Sequence, residues 1–137
     1  MPAVTVTPPC PNSIGDFRYL AGTNFETGIT ATASGTQATA YQLAAQMSDI
    51  SVCATALDSV ALPKIRAGNA GDPNPGTLGM LVFVYNGGAT VCQVYGGTNA
   101  KDTINGIATA TGIALPAGAT MLAWPTSYTQ SPDVGTW

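Results

Sequence analysis

Glycine and proline punctuate this chain so densely that they leave no room for a long helix. There are 16 glycines and 10 prolines in 137 residues. Each disfavours a helix interior, one through backbone entropy and the other through its missing donor and fixed φ. Between them lie short apolar or alternating runs. Ile50-Ser51-Val52-Cys53-Ala54 alternates as a half-buried strand does, and Ser59 to Pro63 is another short piece. Met80-Leu81-Val82-Phe83-Val84-Tyr85 is apolar throughout and rich in β-formers, which predicts a central strand covered on both faces. Asn86-Gly87-Gly88 is a strong hairpin signal, so Val91 to Tyr95 is expected to return antiparallel. Thr111 to Leu115 and Thr120 to Trp124 read as a second hairpin around Pro116-Ala117-Gly118-Ala119. Thr103 to Ile107 reads as a short strand or turn, and Ser127 to Trp137 as a last edge segment. Thr39 to Met47 fits helix and strand patterns alike, whereas Ala67 to Gly76 is loop by composition. About eight short strands at this spacing predict an all-β chain. Residues 36–137 are then a single antiparallel β-sandwich, jelly-roll-like or barrel domain.

The first 35 residues differ. Pro8-Pro9-Cys10-Pro11 is held extended by its prolines, Asp16 to Leu20 is a short strand candidate, and Thr27 to Gln37 is small and polar. Such a stretch cannot close a core, so residues 1–35 are expected to form an extended N-terminal arm. Phe17, Tyr19 and Phe25 give it aromatic anchors that disordered leaders usually lack.

Charge narrows the function. Only 8% of residues are charged, against about 25% in ordinary domains, and the net charge is −3. The cations are Arg18, Lys64, Arg66 and Lys101, too few and too scattered to neutralise phosphates, so nucleic acid is excluded as a partner. Histidine is absent, which removes every Ser-His-Asp and Cys-His system and the usual zinc ligand sets. Among Glu26 and six aspartates, Asp49 and Asp102 make the best carboxylate pair, and nothing in their spacing brings them together. No phosphate loop, dinucleotide fingerprint or nucleophile elbow appears, so the chain is expected to be no enzyme and to need no cofactor or metal. Cys10, Cys53 and Cys92 are odd in number and form no Cys-x-x-Cys pair, which favours buried thiols. A bridge between Cys53 and Cys92 stays open. No run approaches the ~18 apolar residues of a membrane span. Met1 to Thr5 lacks the basic and apolar regions of a secretory leader, so a soluble chain made in a cytoplasm is expected.

The order of motifs carries a family likeness. It runs Val84-Tyr85-Asn86-Gly87-Gly88-Ala89, Val94-Tyr95 with a Gly-Gly loop, Thr103-Ile104-Asn105-Gly106-Ile107-Ala108, Leu115-Pro116-Ala117-Gly118-Ala119-Thr120 and terminal Gly135-Thr136-Trp137. This order resembles small virion structural proteins of tailed bacteriophages, and the likeness extends upstream to Gln37. Gly96 stands where the family usually has proline, and Ala119 where it has a lysine, which removes a surface charge. The resemblance implies a capsid decoration (cement) protein or a related head or tail appendage, commonly trimeric and without enzyme activity. Its partner would be the major capsid protein, and its place the capsid surface of the virion after synthesis in the host cytoplasm. On that reading Phe17, Tyr19 and Phe25 contact the capsid, while Leu81, Val82, Phe83, Val84 and Tyr85 form the trimer interface or core. The alternative is an appendage binding host-surface glycans. Tyr85, Tyr95, Trp124 and Tyr128 would then serve as platforms, with Asn86, Asn99 and Asn105 as amide partners.

Overall fold

A computed structural model describes residues 25–65, 78, 80–98, 101–107, 110–130 and 133–137. Phe17, Tyr19, Asn99 and the loop-like stretch 67–76 lie outside them. Among the described residues there are ten strands and no helix. They are β1 (Phe25–Thr30), β2 (Tyr41–Gln42), β3 (Met47–Val52), β4 (Ser59–Ala61), β5 (Val82–Asn86), β6 (Cys92–Tyr95), β7 (Ile113–Leu115), β8 (Thr120–Ala123), β9 (Ser127–Thr129) and β10 (Val134–Thr136).

Two four-stranded sheets have the orders β1-β3-β5-β8 and β2-β4-β6-β7, and β9 and β10 form a separate antiparallel pair. From β1 to β6 each strand lies in the sheet opposite its predecessor. Parallel strands need a long crossover, and here the crossover is itself a strand of the other sheet. Three successive rungs therefore stack in parallel: β1 on β3 on β5, and β2 on β4 on β6. A fourth rung runs backwards, β7 pairing antiparallel with β6 and β8 with β5.

The expected all-β class holds, with two corrections. The sheets are mixed and dominated by parallel pairs, and they do not close into a barrel, since β1, β2, β7 and β8 are all edges. Neither predicted hairpin forms. β5 and β6 lie in different sheets, as do β7 and β8. The turn chemistry is real but turns a corner between sheets. Asn86 is fully buried there: its side-chain nitrogen donates to the carbonyls of Thr90 (2.8 Å) and Leu115 (2.9 Å), while its oxygen accepts from Gly88 N (3.0 Å). Gly88 must be glycine because a Cβ would sit 2.5 Å from the backbone nitrogen of Cys53.

Inward positions of both sheets meet in one core, with Ile29, Ile50, Val82 and Val84 from the first and Val60, Cys92, Val94 and Leu115 from the second. Burying a side chain of this kind is worth about 1.5–3 kcal/mol. Trp137 and Ile104 join the same cluster, and the backbone of Trp137 bonds to both Thr103 and Asn105. Residues 25–35 belong to this body too, because β1 pairs with β3 and Ile29 and Ala31 are in the core. The arm boundary expected at residue 35 is thus corrected: the domain includes Phe25 onward. Thr39 to Met47 resolves into strand β2 and the start of β3.

Candidate functional site: the outer face of the first sheet

A strand presents alternate side chains to opposite faces, so the inward set of Ser48, Ile50, Val82, Val84 and Asn86 leaves an outward set. Register places Phe25 beside Met47, Met47 beside Phe83 and Phe83 beside Leu122, an apolar row across all four strands. The next row is Asp49, Tyr85 and Thr120. Leu81 and Trp124 extend the surface beside the paired Val82 and Ala123. Phe25 is 58% exposed, Trp124 48%, Leu122 47%, Tyr85 43% and Leu81 42%. Isolated exposed apolar residues are ordinary, whereas a contiguous set of this kind marks an interaction surface.

The second row is incomplete at β1. Register shifts occur between Glu26 and Ile29, where Gly28 adopts φ +73°. This bulge withdraws Thr27 and Gly28 from pairing, so no β1 residue is registered opposite Asp49. A groove of about 270 Å³ results, lined by Phe25, Met47, Ser48, Asp49, Phe83, Tyr85 and Thr120. Glu26 secures the bulged edge: its Oε1 accepts from Ser48 Oγ (2.7 Å) and Ala44 N (3.0 Å). At Asp49, Oδ1 is buried with no hydrogen-bond donor among the described residues.

The other carboxylates among the described residues are structural. Asp102 is buried and accepts from the backbone nitrogens of Ile65 (3.1 Å) and Gly135 (2.9 Å), and it does not line the groove that Asp49 lines. The Asp49–Asp102 pair therefore does not form a shared site. Asp58 closes the turn after β3 by accepting from Thr55 Oγ1 (2.6 Å), Thr55 N and Ala54 N, bonds that hold its carboxyl below the usual value. Asp133 is held low chiefly by the Lys64 ammonium at 2.5 Å and also by Tyr128 Oη, and Lys64 is raised in return. Cys53 and Cys92 are buried free thiols; burial and the neighbouring Cys53 push Cys92 up to about 12.

Of the five residues expected at a trimer interface or core, Val82 and Val84 are core, Phe83 is half-buried, and Leu81 and Tyr85 are exposed. Strand β5 therefore buries one face in the core and leaves the other partly exposed among the described residues. Phe25 joins the same outer face. The glycan constellation is dispersed: Asn86 is buried with its amide committed, and Tyr128 is bonded to Asp133. Trp124 and Asn105 do share a groove of about 120 Å³. Sequence reasoning missed Met47 and Leu122, whose only signal is the register that lines them up. No family model, curated protein or solved structure matches the chain.

Proposed function

We propose that this chain is a bacteriophage capsid decoration (cement) protein. It would bind the major capsid protein on the outer surface of the head as a homotrimer and stabilise the shell without any bond-making chemistry. The observation that supports this most is the apolar row Phe25, Met47, Phe83 and Leu122, in which Phe25 and Leu122 are exposed and Met47 and Phe83 half-buried among the described residues. A lattice-binding protein draws its affinity from buried area and shape, with polar matching at the rim. Binding only the assembled shell stabilises it by mass action. In this reading the body is a two-layer sandwich, and the face of β1-β3-β5-β8 packs against neighbours. Residues 1–24, with Phe17 and Tyr19, reach the capsid, since extended peptides add readily to exposed sheet edges.

The test is binding to mature heads, followed by co-sedimentation, together with the solution mass of the free protein. Wild-type protein is expected to sediment as a trimer and to saturate the heads in hundreds of copies. Leu122→Glu, on that row, is expected to lose trimer, head binding or both while keeping its β spectrum. A monomer that ignores heads would refute the reading. The alternative, an appendage binding host glycans, draws on the groove shared by Trp124 and Asn105. It predicts glycan-array signal that Trp124→Ala abolishes.

A further inference from the structure

The groove at the β1 bulge differs chemically from the apolar row around it. Phe25, Phe83 and Tyr85 supply aromatic walls and Asp49 a carboxylate, in a volume of about 270 Å³. Small-molecule pockets usually run from roughly 300 to 1,000 Å³, so this one suits a single side chain. Tyr85 and Asp49 stand in register beside one another on β5 and β3.

We propose that this groove seats an arginine side chain of a partner protein, its guanidinium stacked on the Tyr85 and Phe25 rings and charge-paired with Asp49. Three comparisons select that occupant. An apolar side chain would cover Asp49 while giving it no donor, and a carboxylate buried without one is strongly disfavoured. A sugar asks for many polar partners, yet the polar side chains of the lining are Ser48, Asp49, Thr120 and the Tyr85 phenol, and the Ser48 hydroxyl already donates to Glu26. A guanidinium satisfies both halves, because it is weakly hydrated, stacks on aromatic faces and presents a planar fork to a carboxylate. Charge favours a cationic occupant, since this chain carries net charge −3.

The inference rests on this face meeting a protein, and its test is independent of capsid binding. Isotope-labelled full-length protein is titrated with N-acetyl-arginine amide, with N-acetyl-leucine amide and N-acetylglucosamine as neutral comparators. Saturable shifts are expected at Met47, Asp49, Phe83 and Tyr85, with affinity on the order of millimolar for one isolated side chain. Asp49→Asn is expected to weaken binding at least about tenfold with the rest of the spectrum unchanged, the scale of one charge-assisted contact. Should that variant not fold, the salt dependence of the wild-type titration carries the same information, because exposed charge pairing weakens as ionic strength rises. Equal response to the leucine compound would overturn the proposal in favour of plain apolar docking. Response to the sugar alone would overturn it in favour of a glycan site. Absence of any saturable shift refutes it, and so does binding seen only after Arg18→Gln, which would make this chain's own leader the occupant.

Discussion

With its side-chain nitrogen shared between the carbonyls of Thr90 and Leu115, Asn86 ties the corner after β5 to the end of β7. Replacing it by alanine strands both acceptors away from water, and each such loss costs about 1–3 kcal/mol. Asn86→Ala is therefore expected to lower stability by about 3 kcal/mol, read as a shift in the urea midpoint. Asp58 acts through pH. Its carboxyl is held below its ordinary 3.8 by Thr55 and Ala54, so its stabilisation is complete above that value and disappears as pH falls through the lower native one. Asp133 has the same sign, through Lys64 and Tyr128. The melting temperature should be level from neutral to about pH 5 and fall below about pH 4, and Asp58→Asn should flatten that acid slope while lowering the neutral value. Cys92, pushed up to about 12, is a neutral thiol at physiological pH. Peptide mapping after iodoacetamide treatment should find Cys92 unlabelled in the native protein and labelled once it is unfolded.

At the scale of elements, strand positions were largely legible and strand partners were not. The run 80–85 announced β5 through its composition, and Asn86-Gly87-Gly88 announced a reversal of direction. A tight turn specifies a bend, however, and the same bend serves a hairpin or a corner between sheets. What decides is the third body, here Cys53 pressed against Gly88 and Leu115 against the Asn86 amide. The stacking was hidden for a further reason. Phe25, Met47 and Phe83 are neighbours in space yet lie 22 and 36 positions apart, so no fixed period marks the rungs. The candidate groove shared that fate: Tyr85 stood out as a possible glycan platform, whereas its pairing with Asp49 depends on the β3–β5 register, and the vacant β1 position opposite Asp49 on the bulge at Gly28. Gly28 itself has open space around it but a left-handed backbone. Gly28→Ala should consequently cost about 1 kcal/mol through backbone strain alone, with Gly28→Asn milder because asparagine tolerates that conformation. Comparative thermal melts separate the two.

Across the whole molecule, nearly every pairing joins distant parts of the chain, a topology that folds slowly, on the order of milliseconds to seconds. Refolding after dilution from denaturant should sit at the slow end for a chain of this size. The spatial order of each sheet nevertheless follows the order of the sequence, β1-β3-β5-β8 in one and β2-β4-β6-β7 in the other. A polypeptide leaving the ribosome can thus lay each new layer on one already complete, without threading or waiting for a distant partner. The stretch 135–137 is the exception, since Gly135 and Trp137 fasten back to Asp102, Thr103 and Asn105, which are laid down well before them.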